Sequence, residues 1–425
     1  MFFDDSFAFA KELDNKDPLR HYREEFIFPN YHSDALVYFT GNSLGLQPKK
    51  AKTYILEELE DWGKFGVEGH FVSRRPWFSY HENLSAMAAN VVGAKASEVV
   101  VTHSLTTNLH LLMVSFYQPK GKRTKILCEA KAFPSDQYAL ASQVEFHELS
   151  KDNLVEIGPR EGEQLIHLED VLAKINSLGD ELALVMIGGV NYYSGQLFDM
   201  KKITDAAHAV GAMAGFDLAH AAGNVNLNLH DWGVDFAAWC GYKYLNSSPG
   251  GVAGMFVHEK HAYNKDLKRF AGWWGHNKEE RFKMESIFDP IPGAEGWQLS
   301  NAPVLGMAVH LASLELFEAA GMKAIGEKRD QMTAYLQFII EKVSERNMEN
   351  CTFELITPKD KSQRGAQLSI MTKGQGKELF DALSKLGVVA DWRAPNVIRI
   401  APAPLYNSYE DCWRFGYLLD QAIQK

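Results

Sequence analysis

The chain has few cysteines, no basic runs and no long apolar stretch, and each shortage removes a class of protein. Its four cysteines, Cys128, Cys240, Cys351 and Cys412, lie far apart in 425 residues, with no CxxC pair and no histidine-rich partner motif. Such spacing suits buried thiols in a reducing compartment rather than a disulfide framework or a zinc site, and no metal is expected. Lysine and arginine number 44 against 54 aspartates and glutamates, a formal charge of −10, and the basic residues are scattered. That pattern offers no electrostatic footprint for nucleic acid or an anionic membrane. No apolar run approaches the roughly 20 residues of a bilayer span. The start, MFFDDSFAFAKELDNKD, is acidic and interrupted, unlike a signal peptide. A soluble, cytoplasmic protein with a small-molecule substrate is the expectation. Internal repeats and low-complexity tracts are missing too, which excludes arrays and solenoids.

What is present is a length and a 46% hydrophobic content that support more than one core. From about Ser97 to His258, short apolar runs alternate with helical patterns, which predicts an α/β fold with a mainly parallel, doubly wound sheet. A long helical stretch follows, roughly Val304 to Glu345, whose part from Met322 bridges to a smaller C-terminal unit. That unit is α+β, with strands at 367–372, 388–393 and 397–402 and helices at 376–386 and 408–422. Boundaries are expected at 1–60 for an N-terminal segment packing with the small domain, 61–310 for the large domain and 311–425 for the small one. Before the large domain, a helical opening broken at Pro18 leads to ALVYFTGNSLGLQPK, where Gly41 and Gly45 suit positive φ or close approach.

The chemistry centres on GFDLAHAAGNVNLNLHDWGVDFAAWCGYKYLNSSPGG, residues 215–251. Asp217 ends one buried apolar run and Lys243 follows another, and ligands of open α/β sheets bind beyond the carboxyl ends of the strands. An amine buried among apolar and aromatic side chains loses its proton more readily and attacks carbonyls. A carboxylate one strand away keeps a pyridine nitrogen protonated, so the pair points to pyridoxal 5′-phosphate (PLP). Taken singly, Asp217 also reads as a helix cap and Lys243 as a side chain snorkelling out of the sheet. Strand, polar turn and helix start around Ser104 and Thr106 form a phosphate-binding arrangement, and equally an ordinary capped helix. Phe133, at a strand end, suits the face of a flat cofactor, although FPSD is also a good helix start.

The stretches FTGNSLGLQP, GHFVSRRPW, TTNLHLLM, AFPSDQYA, YYSGQLFD, residues 215–246, GWWGH, WQLSNAP and IRIAPAPLYNS run from Phe39 to Ser408 and together resemble the kynureninases. The resemblance implies a fold-type I PLP enzyme, a homodimer with shared active sites, that hydrolyses L-kynurenine or 3-hydroxy-L-kynurenine to anthranilate or 3-hydroxyanthranilate and L-alanine. It implies Lys243 as the Schiff-base lysine, Asp217 as the partner of the pyridine nitrogen, and a place in tryptophan catabolism or NAD biosynthesis. Leu105, Thr106, Phe133, Pro134, Ser135, Asp136, Gly188, His220, Tyr242, Trp273 and Asn301 fall at cofactor contacts, the last two serving the neighbouring subunit. Ser43, His70, Phe78 and Asn301 fall on the substrate side, Tyr242 carries protons, and Arg399 clamps the α-carboxylate. A planar guanidinium at a strand end suits a bidentate carboxylate clamp at Arg399, but on the residues alone a surface salt bridge is the preferred reading, and Arg393 is the competing arginine. One departure is GWWGH, which adds bulk at Trp274 to the usual GWFGH-like loop. The alternatives are another fold-type I enzyme, such as a cysteine desulfurase using Cys351, and a non-catalytic PLP-binding protein.

Overall fold

The computed structural model describes residues 2–32, 36–349, 352–373 and 376–424. Its main sheet has seven strands in the spatial order Val99–Val101, Ala253–Val257, Phe236–Cys240, Met213–Asp217, Leu182–Gly188, Lys125–Glu129 and Leu154–Ile157. Successive side chains alternate between two cores, as the pleat requires. Leu127, Val185, Ile187, Phe216 and Trp239 face one apolar cluster, while Ile126, Cys128, Leu184, Met186 and Ala238 face the other. The helices Leu105–Phe116 and Pro134–Phe146 cover the second face, and Glu82–Val92, Leu168–Leu178, Met200–Ala209 and Val304–Ala320 the first. Both faces are covered, so the strands read as continuous apolar runs.

Ala253–Val257 departs from the parallel expectation by pairing antiparallel with both neighbours. The connection from Cys240 to Ala253 holds turns and no helix, and a parallel return needs a crossover, usually helical. The predicted helical stretch from Val304 is also two helices. Gly321, at φ 75°, separates Val304–Ala320 from Met322–Arg346, whose axes differ by 81°. The second helix passes from the large core at Ile325 to another built on Met332, Leu336, Ile340, Leu368, Ile398, Ile400 and Phe415.

That core is lined by an antiparallel sheet in the order Thr352–Leu355, Leu368–Lys373, Val397–Ile400 and Asp391–Arg393. The expected strand at 388–393 is divided at Ala390. Val388–Val389 leaves to pair in parallel with Val37–Tyr38 near the N-terminus, while Asp391–Arg393 stays in the sheet. The N-terminal helix Phe7–Lys16 closes this core with Ala10 and Leu13. Its Asp14 carboxylate accepts from the backbone N–H of Tyr409 and Glu410 at 2.8 and 2.9 Å, which caps the C-terminal helix Tyr409–Ile423. Among the described residues no single helix is long and apolar enough to cross a membrane.

Candidate active site

At the carboxyl ends of the central strands lies a cavity of about 240 Å³ lined by residues from five separate segments, including Ser104, Thr106, Glu129, Asp136, Asp217 and Lys243. Leu105, Phe133, Ser135, Gly188, Tyr192, His220 and Tyr242 complete most of its wall. Nine of the expected cofactor residues therefore meet Lys243 and Asp217 in one place, or stand beside them as Pro134 does at the first turn of the following helix.

Lys243 sits three residues past the end of Phe236–Cys240, and its Nζ lies 3.0 Å from His220 Nε2. Burial, followed by the charges of Lys243, Arg399 and Arg393, holds His220 well below the usual histidine range. His220 is therefore neutral, and its buried Nδ1 has no partner. Asp217, the last residue of its strand, is buried and accepts from the Ala219 N–H at 2.6 Å. Burial raises its pKa, and its carboxyl shares a hydrogen bond with that of Asp136, whose pKa is raised well above the carboxylate range by burial and by Asp217. Two facing carboxyls can do this only by holding a proton between them. A buried acid pair short of a cationic donor is what a protonated pyridine nitrogen would satisfy.

The other parts of a flat, phosphorylated aromatic cofactor also find matching surfaces. Ser104 precedes the helix Leu105–Phe116 but makes no side-chain cap bond, pairing its hydroxyl instead with Thr107 Oγ1 at 3.0 Å. The first-turn N–H groups, the hydroxyls and the positive helix end thus face the cavity together, an arrangement made for phosphate. Phe133 stands at the mouth, 40% exposed, with Lys243 Nζ 5.9 Å from its ring centroid. Tyr242 lines the same wall, and burial and Cys240 hold its phenol well above the usual range, so it remains protonated.

The substrate-side expectations fall elsewhere in this chain. Ser43 is exposed, His70 gives its Nδ1 to the Val67 carbonyl at 2.9 Å, and Phe78 stacks on Phe71 and Phe282. Trp273 and Asn301 are exposed and line no part of the cavity. Trp274, the bulky departure, is buried under Arg281, whose guanidinium carbon lies 4.4 Å from its ring centroid. Arg399 stands behind Tyr192, donating from Nη1 to the Tyr192 carbonyl and from Nη2 to Asp391 at 2.6 Å, with its Nε buried and unpartnered. Arg393 shares Asp391 at 3.2 Å and is the more exposed of the two arginines.

Glu129 and Tyr192 are among the wall residues not anticipated. Tyr192 belongs to a loop read only as rich in Asn, Tyr and Gly. Glu129 ends Lys125–Glu129 one strand from Leu182–Gly188, and its carboxyl is pushed up to about 7 by burial, opposed by hydrogen bonds from Asn191 and Gly188. Its position, at the end of a buried strand beside a strand-end glycine, is the same signal that singled out Asp217. Cys351, the desulfurase candidate, lies outside the described residues, and the other three cysteines are buried with thiols pushed up by desolvation. Such thiols are poor nucleophiles.

Comparison with known proteins gives a consistent result. A family model described as the kynureninase C-terminal domain matches residues 325–419. The chain is similar to a kynureninase of Flavobacterium johnsoniae, 59% identical over 100% of this chain and 99% of that one. It is likewise similar to the kynureninase of Myxococcus xanthus, 54% identical over 98% and 97%, and to that of Nematostella vectensis, 47% identical over 98% and 94%. Among solved structures, a cysteine desulfurase of Thermococcus onnurineus superposes with a TM-score of 0.73 at 17% identity, covering 92% of this chain and 95% of its own. A C-DES variant with glycine covalently linked to its PLP cofactor gives 0.72 at 15% identity, covering 91% and 96%. At these identities the structural likeness speaks for the fold alone.

Proposed function

The chain belongs to the kynureninase family, and on that premise we propose that the cavity around Lys243 is where it cleaves kynurenine to anthranilate and L-alanine. It is a fold-type I enzyme that uses PLP. The observation that supports this placing of the chemistry is the meeting, in one buried cavity, of Lys243, the neutral His220, the proton-sharing Asp217 and an uncapped helix N-terminus.

PLP supplies an electron sink for the pair left behind when bonds at the substrate Cα and between Cβ and Cγ break. Asp217 would hold the proton at the cofactor's ring nitrogen, and the N–H groups at Leu105 and Thr106 would hold its phosphate. Phe133 would cover one face of the ring. Lys243 would carry the cofactor, and its amine is the base placed to take the Cα proton and return it. The neutral His220 keeps that amine oriented without adding a competing charge. Overall, water adds its oxygen to the ketone carbon, the Cβ–Cγ bond breaks, and Cβ gains a proton as alanine leaves. Tyr242, protonated and on the cavity wall, is the proton carrier for that last step.

Arg399, whose Nη1 holds the carbonyl of the wall residue Tyr192, clamps the α-carboxylate. Ser43, His70 and Phe78 belong to the aryl side of the substrate, and Trp273 and Asn301 to the site of a second subunit. Exposed Phe71, Phe282 and Trp273 beside Phe78 support a homodimer that covers them. The small domain is drawn from the N-terminal helix and the residues past Ile325, and the large one from the chain between them, since Leu311, Leu314 and Phe317 pack in the large core. The enzyme acts in the cytoplasm, in tryptophan catabolism or in supply of NAD precursors, on L-kynurenine or its 3-hydroxy form. Borohydride reduction of the PLP-loaded protein, followed by peptide mapping, should place the cofactor on Lys243. A label on any other lysine would overturn the assignment.

A further inference from the structure

Glu129 is a buried carboxylate in the cavity wall to which the chemistry above gives no task. Its Oε1 accepts from the Gly188 N–H at 2.8 Å and its Oε2 from Asn191 Nδ2 at 2.7 Å. Asn191 in turn organises the loop that follows. Its Oδ1 accepts from the N–H groups of Tyr193 and Ser194 at 3.0 and 2.9 Å and from the Ser194 hydroxyl at 3.1 Å. Asn191 N–H and C=O both bond back to Gln196 and Gly195, which closes the loop on itself.

The far side of this loop is the seat of the small-domain clamp. The Tyr192 carbonyl accepts from Arg399 Nη1 and from Gln367 Nε2, the latter at 2.9 Å. The Tyr193 carbonyl accepts from Ser369 Oγ at 2.6 Å, and Thr357 Oγ1 donates to the Ser194 carbonyl. There is no slack behind Gly195, where an added Cβ would lie 2.9 Å from the Gln367 carbonyl oxygen. The loop is thus a wedge, fixed below by Glu129 and carrying Arg399 above.

Resting on the reading of Arg399 as the carboxylate clamp, we infer that Glu129 is a positioning residue that sets the clamp's guanidinium through Asn191 and the Tyr192 carbonyl. In Glu129→Gln, one amide end must face a donor, either Gly188 N–H or Asn191 Nδ2, and Asn191 cannot turn over without losing its three loop bonds. Asn191→Asp keeps those loop acceptors but removes the donor to Glu129. Both variants therefore loosen the wedge, and with it the setting of the Arg399 guanidinium, without altering the Arg399 or Lys243 side chains themselves.

The test uses PLP-loaded protein and two ligands that cannot be hydrolysed, followed by cofactor absorbance. L-homophenylalanine has the kynurenine carbon skeleton without its ketone, and 3-phenylpropylamine lacks the α-carboxylate as well. Each variant should bind L-homophenylalanine about tenfold more weakly, the effect of one unpaired buried donor. Affinity for 3-phenylpropylamine should stay within about twofold of wild type. Unchanged affinity for L-homophenylalanine, or equal weakening of both ligands, would overturn the inference by reducing Glu129 to a bystander or a purely structural group. Wild-type protein that does not prefer the amino acid to the amine would instead overturn the clamp reading of Arg399, and the inference with it.

Discussion

His310 lies in the middle of Val304–Ala320, fully buried, with neither ring nitrogen hydrogen-bonded. Its neighbours along the helix, Met307, Leu311 and Leu314, belong to the large apolar core. Burial alone holds its pKa down to about 3, well below the usual histidine range. A histidine depressed in the folded state gives stability that is present above its unfolded pKa and lost as pH falls toward the folded one. Between pH 7.5 and 5.0 the unfolded imidazole takes up a proton and the folded one does not, which costs about 2 kcal/mol. By pH 4 the loss reaches about 3 kcal/mol on the same reasoning. His310→Leu fills similar space and removes the titration. Urea unfolding of PLP-loaded wild type and variant at both pH values isolates this group, since every other titration is common to the pair. Wild type should lose about 2 kcal/mol more than the variant between pH 7.5 and 5.0. Equal losses would show that His310 finds a partner or water, and would refute the reasoning.

Tyr242→Phe should lower turnover of kynurenine by an order of magnitude or more, about the contribution of one positioned proton donor, with PLP content by absorbance unchanged. Gly45→Ala should release PLP, because the new Cβ would lie 2.4 Å from the Lys243 carbonyl oxygen and 2.0 Å from Asn246 Oδ1; equilibrium dialysis of the cofactor measures it. Asp14→Ala leaves two N–H groups of the C-terminal helix uncapped and should cost about 1–2 kcal/mol in urea unfolding.

The strand ends carrying Asp217 and Lys243 were legible because buried parallel strands are short apolar runs and ligands gather at their carboxyl ends. Gly45 was legible as a close-approach glycine for the same local reason, and the structure packs it against the main chain of the lysine. Reversal of Ala253–Val257 was not, since direction is set by the connection and not by the strand's own pattern. The break at Gly321 was hidden inside a continuous apolar period, although a glycine at positive φ is the ordinary way to end a helix. Glu129 carries the strand-end signal, but its role and that of Tyr192 depend on neighbours from other strands and loops, which the sequence does not pair. Arg399 lies farther still, 207 positions from the carbonyl it holds, a pairing that only the folded chain reveals.

Release of anthranilate from L-kynurenine by PLP-loaded protein, beside the Lys243→Ala variant, tests the central claim most directly. Steady release by the wild type and none above background by the variant is the predicted result. Release that survives loss of Lys243, or none from loaded wild type with either L-kynurenine or its 3-hydroxy form, would contradict it.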